Sequence, residues 1–194
     1  MFSKRMLFAA LLAGASAASA LAQEADGPGP NLMIEVAGST TGQIVIDLLP
    51  DVAPAHVAQI TALAGEGAYD GVVFHRVIDG FMAQTGDVEF GKASSADMSM
   101  AGMGGSSKPD LPAEFSDISF ERGVVGMARA QEPDSANSQF FIMFAPGEFL
   151  NGEYTVVGRV IAGMEVVDAI KKGDGANGAV TAPPDMMGKV TVAP

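Results

Sequence analysis

Three polar residues stand in settings otherwise made for apolar side chains. Arg76 lies inside Phe74-His75-Arg76-Val77-Ile78-Asp79-Gly80-Phe81-Met82-Ala83-Gln84, and that run ends on the second of them, Gln84. The third, Gln139, lies in Ser138-Gln139-Phe140-Phe141-Ile142. An arginine among large apolar side chains needs a partner, yet no carboxylate of fitting strand parity stands beside Arg76. A cation in an apolar cleft flanked by carboxamides suits a neutral but polarisable substrate, such as a peptide bond. Strand alternation puts Phe74, Arg76 and Ile78 on one face, and Met82 and Gln84 on another with Phe81 near the strand start. It puts Gln139, Phe141 and Met143 together, with Ser138, Phe140 and Ile142 opposite, which assigns Phe140 to the core. If the three polar faces converge, they enclose an apolar pocket holding one guanidinium and two carboxamides.

Other chemistries lack their residues. There is no G-x-S-x-G elbow, no Ser/His/Asp set, no paired carboxylates in an apolar run and no phosphate loop. Gly102-Met103-Gly104-Gly105 is glycine-rich but is followed by neither the lysine nor the helix of such a loop. Without cysteine there is no thiol catalysis and no thiolate metal ligand. His56 and His75, the only histidines, fall in different elements and lack zinc-helix spacing. His75 is assigned to the core or to a strand hydrogen bond. No metal and no cofactor is expected, and the chemistry should need no covalent step.

The positioning elements can be read from patterning. Leu32 to Val36 and Gln43 to Leu48 form strands around the turn 38–42. Pro54 opens a helix with Val57, Ile60, Leu63 and Ala64 on its apolar stripe, ended by Gly65 or Gly67. Val72–Ile78 and Phe81–Thr85 are strands broken at Asp79-Gly80, and Val124–Arg129, Ser138–Phe144 and Tyr154–Ile161 are three more. Pro146–Leu150 is a tight or single helical turn, Met164–Lys171 a helix, and Lys189–Val192 a closing strand. Residues 89–112 form a long surface loop, in which Met98, Met100 and Met103 either line a binding lip or, as favoured, fill gaps against the sheet. Many short strands and two helices indicate an all-β barrel or sandwich.

The first 22 residues read as a cleavable leader: Lys4 and Arg5, an apolar run from Met6 to about Ala15, and a small-residue site at Ala20-Leu21-Ala22. Residues 23–31 form a flexible lead-in and 32–194 one domain. Removing the leader leaves 9 basic against 23 acidic residues, a formal charge of −14. That excess argues against nucleic acid and against anionic lipid. The expected product is an exported monomer, periplasmic or else secreted, free of the membrane once the leader is removed.

Residues 74–87 closely resemble the signature of the cyclophilin-type peptidyl-prolyl isomerases. So do Gly126-Met127-Ala128-Arg129 through Ser138-Gln139-Phe140-Phe141-Ile142. Tyr69-Asp70-Gly71, Ala113-Glu114-Phe115, Phe149-Leu150-Asn151-Gly152 and Val157-Gly158-Arg159-Val160 add to the likeness, which spans residues 32–192. The resemblance implies a closed eight-stranded antiparallel β-barrel capped by two helices. It implies isomerisation of X–Pro bonds in folding exported proteins, with Arg76 as the catalytic arginine. It further implies a proline pocket from Phe81, Met82, Phe141, Phe149, Leu150 and Tyr154. Gln84 and Gln139 would hold substrate backbone and orient the arginine, and Ala128 and Arg129 would pair with an extended peptide. A proline-segment chaperone or scaffold with incidental turnover is the alternative.

Three positions depart from many family members: Phe149 replaces tryptophan, Tyr154 histidine and Arg129 asparagine, as in bacterial-type members. The first removes an indole N–H donor, so weak binding of cyclosporin-type cyclic peptides is expected.

Overall fold

Residues 31–48 carry two apolar-rich runs around a Gly-Ser-Thr-Thr-Gly turn and fold as an antiparallel hairpin. Strand β1 (Asn31–Ala37) pairs with β2 (Gly42–Leu48) in a register that sets Ile34 opposite Ile44 and Leu32 opposite Ile46. A computed structural model describes residues 25–95, 97–181 and 183–194. The leader and residues 23 and 24 of the lead-in lie outside the described residues. The described lead-in is tied to the hairpin: Gly27 N donates to Asp47 Oδ2 (3.2 Å) and Leu48 N to Pro30 O (3.1 Å). Asn31 already belongs to β1.

Helix α1 (Pro54–Gly65) follows, with Val57, Ile60, Leu63 and Ala64 buried as the stripe requires. Its first turn has no local side-chain cap. The cap comes from Glu114 instead, whose carboxylate accepts Ala55 N and His56 N, both at 3.1 Å, and meets His56 Nδ1 at 2.6 Å. A carboxylate at the orphan amides of a helix start offsets both their unmet hydrogen bonding and the helix dipole.

The remaining strands are β3 (Val72–Val73), β4 (Arg76–Ile78), β5 (Met82–Thr85), β6 (Val124–Met127), β7 (Phe140–Met143), β8 (Val156–Ala162) and β9 (Met186–Ala193). Helix α2 (Met164–Ala169) lies between the last two. The order across the curled antiparallel sheet is β3-β9-β1-β2-β8-β6-β7-β5-β4. This corrects the expected closed eight-stranded barrel: there are nine strands, and no ladder joins β3 to β4 among the described residues. The cause lies in the expected strand 72–78, which breaks at Phe74-His75. There Phe74 N donates to Asp185 O and His75 O accepts Val180 N, so the segment before β9 takes the pairing that closure would need. The two edges of the sheet are thus joined by two residues of chain rather than by a ladder.

Both faces of the sheet are apolar. The main core gathers β1, β2, α1, Val167 of α2, Phe140 and Ile142. A second cluster on the other face holds Met82, Phe120, Val124, Phe141, Met143, Leu150 and Val156. The alternation of β7 thus divides as its parity requires, with Phe140 in the main core and Phe141 outside it.

Candidate active site

The register of four neighbouring strands builds the site. Arg76 on β4 stands opposite Gln84 on β5, Gln84 opposite Phe141 on β7, and Phe141 opposite Gly126 on β6. Opposed residues share a face, so one row across the sheet carries the guanidinium, a carboxamide and an aromatic ring. The glycine ending that row is required by close approach. A Cβ at Gly126 would sit 2.5 Å from Phe141 and 2.6 Å from Phe120, whose rings stack at 5.7 Å.

Above this row lies a cavity of about 240 Å³ lined by Phe81, Met82, Phe141, Phe149, Leu150 and Tyr154, with Arg76, Gln84, Ala128 and Arg129 at its margins. Phe141 meets Tyr154 edge-on at 5.8 Å, and Phe81 faces Phe149 at 5.5 Å. Leu150 and Phe149 sit on a single helical turn, Glu148–Leu150, which buries the leucine and leaves the phenylalanine 72% exposed as an outer wall. Gln139 does not line this cavity. It lines an adjoining polar one of about 540 Å³, which shares Gln84, Ala128 and Arg129 with the first. The structure therefore brings together ten of the eleven expected site residues, and reaches the eleventh through a hydrogen bond.

That bond belongs to a chain of fixed direction. Arg76 Nη1 donates to Gln84 Oε1 (3.1 Å), and Gln84 Nε2 to Gln139 Oε1 (2.9 Å). Gln139 Nε2 donates to the carbonyls of Gly102 (3.0 Å) and Gly104 (2.7 Å). A guanidinium can only donate and a carbonyl only accept, so both carboxamides have one possible orientation. The glycine loop is itself pinned: the buried Asp87 accepts Gly102 N and Gly104 N on Oδ2, and Glu89 N and Phe90 N on Oδ1. Met103, between those glycines, is 73% exposed and Met100 43%. These two are not gap-fillers, which corrects the packing role favoured for them.

Patterning did not reveal the second support of Arg76. Its Nε donates to Asn177 O (3.0 Å) and its Nη2 to Asn177 Oδ1 (3.1 Å). Asn177 is left-handed, φ 55°, in a turn beside β4. The Asn-Gly pair at 177–178 is the available sequence signal, since asparagine tolerates that region and glycine favours it. Three of the five guanidinium N–H groups are thus engaged, leaving one on each terminal nitrogen. Among the described residues Arg76 makes no ion pair. Partial burial lowers its pKa, opposed by Tyr154, but an arginine stays charged throughout the accessible range.

His75, one residue away, is buried and points elsewhere. Neither ring nitrogen reaches hydrogen-bond geometry, and the backbone of Gly102 lies against the ring. Burial pushes its pKa down to about 4, opposed by Asp87 and by the nearby Val73 backbone and Gln139 side chain, which lie close without full hydrogen-bond geometry, and helped by Arg76. It is a core imidazole beside the site. Among the described residues no group of three acidic or histidine side chains is gathered as for a metal ion.

Residues 32–192 match the family model described as "Cyclophilin type peptidyl-prolyl cis-trans isomerase/CLD". A probable peptidyl-prolyl cis-trans isomerase of Brucella suis is 60% identical over 152 residues, covering 78% of each chain. Peptidyl-prolyl cis-trans isomerase B of Escherichia coli is 38% identical over 138 residues, 67% of this chain and 79% of that one. In fold, the chain resembles a Cryptosporidium parvum cyclophilin-type isomerase crystallised in the presence of the dipeptide Ala-Pro. That likeness has a TM-score of 0.70 at 24% identity, over 84% of this chain and 99% of that one. With the family model spanning nearly the whole described domain, the chain belongs to the cyclophilin-type peptidyl-prolyl cis-trans isomerases.

Proposed function

We propose that this isomerase accelerates rotation about X–Pro bonds of exported proteins as they fold, with Arg76 donating to the proline nitrogen. The barrier is roughly 20 kcal/mol because the amide C–N bond is partly double, and unaided exchange takes roughly 10–100 s. Twisting the bond localises the lone pair on the nitrogen, which pyramidalises. A donor aimed at that lone pair is stronger in the twisted state than in either planar one, and only such differential binding lowers the barrier. The proline ring would occupy Phe81, Met82, Phe141, Phe149, Leu150 and Tyr154. The peptide backbone would run along Ala128 and Arg129 and meet Gln84 and Gln139.

The observation carrying this reading is the guanidinium itself. It sits at the rim of an aromatic cavity, held by neutral oxygens alone, with two N–H groups left for a ligand. A carboxylate partner would compete with the nitrogen lone pair, and none is present among the described residues. The Ala-Pro dipeptide used with the Cryptosporidium parvum relative supports a proline-containing ligand. The charged, apolar and small-residue succession of the first 22 residues supports export to the periplasm. A monomer with weak affinity for cyclosporin-type cyclic peptides completes the reading.

One observation favours the alternative, a chaperone that holds proline-containing segments. Met100 and Met103 are exposed on the loop above the polar cavity, where flexible thioethers suit varied clients. Exchange NMR of a short X–Pro peptide separates the two, comparing wild type with Arg76→Ala. The expected result is rapid exchange lost in the variant while peptide shifts remain perturbed. Binding without acceleration in wild type would make the chain a holder.

A further inference from the structure

A second arginine borders the proline cavity, and its side chain is only 13% exposed. Its Nε and Nη2 both donate to Glu153 O, at 3.1 and 3.0 Å, and its Nη1 donates to Ala130 O and Gln131 O, both at 3.0 Å. The guanidinium carbon lies 4.6 Å from the centroid of the Tyr154 ring. The Glu153 carboxylate stands 3.8 Å from Nη2 and is 68% exposed, so the ion pair adds little.

The place of this contact matters more than its strength. Strands β6 and β8 pair as far as Gly126 opposite Val156, and Met127 N still donates to Thr155 O. Beyond that point one chain leads along Ala128–Arg129 and the other turns through Tyr154 to Glu153. Among the described residues no ladder joins them there, and the fork of Arg129 bridges the divergence through Glu153 O.

We propose that Arg129 is a positioning residue, bracing the Tyr154 wall of the proline pocket against the Ala128–Arg129 edge along which the peptide runs. The proposal rests on the pocket reading given above. Four of its five N–H groups go to carbonyls, and the nitrogen carrying the fifth, Nη2, lies beside the Glu153 carboxylate, so Arg129 has less to offer a ligand than Arg76. It sets the spacing between the part of the site that would read backbone and the part that would hold the ring. Lysine keeps the charge and much of the stem but has no planar fork able to reach three carbonyls at once.

Arg129→Lys and Arg129→Met test this through kinetics, peptide titration and tyrosine NMR. The chain has two tyrosines and no tryptophan, and Tyr69 is buried in the main core. Tyr69 thus reports the fold and Tyr154 the wall. The expected result in both variants is a rise of about tenfold in KM and in the peptide Kd, kcat within about twofold, displaced Tyr154 signals and unchanged Tyr69 signals. Three results overturn the proposal: wild-type KM and Tyr154 signals in both variants, a fall in kcat at constant KM, or displacement of Tyr69 as well. If wild type itself fails to accelerate exchange, the isomerase mechanism falls, while Kd and the ring signals still decide the brace.

Discussion

Two arginines flank one pocket, and they are held in opposite ways. Arg76 stands on the β4–β5 side, gripped by Asn177 and Gln84, with one N–H spare on each terminal nitrogen. Arg129 stands on the β6–β8 side with its fork directed at the carbonyls of Ala130, Gln131 and Glu153 and its face on Tyr154. Arg76 has no carboxylate partner among the described residues, and Arg129 has only the exposed Glu153 carboxylate at 3.8 Å. A buried cation satisfied by carbonyls becomes structure, whereas one satisfied only in part stays available to a ligand. Chemical reach is therefore decided by how many of five donors the fold consumes, and residue type alone does not reveal it.

The sharpest way to break the comparison is to remove the available donor. Arg76→Ala should lower kcat on an X–Pro peptide by on the order of 10²–10³, the usual cost of losing a transition-state donor. Peptide Kd should change little, as read by exchange NMR and titration. An equal loss from Arg129→Lys in kcat would erase the distinction between the two sides.

The next effect concerns stability and belongs to the Arg76 side alone. His75 beside it is neutral in the folded protein, with a pKa near 4 against 6.5 for an unperturbed histidine. As pH falls the unfolded chain takes the proton first, so this group leaves stability whole above about pH 6.5. Stability should then decline by about 3 kcal/mol on the way to pH 4. Thermal melts of wild type and His75→Phe across that window should diverge. Parallel curves would mean that protonation of the imidazole is not coupled to folding.

Smaller effects sharpen the contrast. Asn177→Gly keeps the left-handed turn and removes the Oδ1 acceptor of Arg76 Nη2, so kcat should drop five- to tenfold (about 1 kcal/mol) at nearly constant KM. Phe149→Trp restores an indole N–H at the exposed outer wall. It should tighten binding of a cyclosporin-type cyclic peptide about fivefold from a weak baseline, seen by calorimetric titration. Unaltered affinity would place the cause of weak binding elsewhere in the pocket.

Much of the site was legible because neighbours in sequence encode it. Strand parity put Gln139 and Phe141 on one face and Phe140 on the other, and both placements hold in three dimensions. The stripe of α1 was equally plain, because a period near four residues survives whatever the helix packs against. The cap of that helix was not plain, since Glu114 reaches it from 58 residues away.

From the sequence alone came the pocket's constituents, the absence of any nucleophile set and the family resemblance, all carried by short ordered runs. The tertiary structure alone decided how many donors each arginine keeps, two on Arg76 and one on Arg129, since partners such as Asn177 come from 101 residues away. It also decided that the sheet stays open between β3 and β4, because Asp185 and Val180 take the backbone bonds of Phe74 and His75. The physical reason is common to both. Periodicity is a property of adjacent residues, while the partner of a buried donor is set by which distant backbone the register and loops bring within 3 Å.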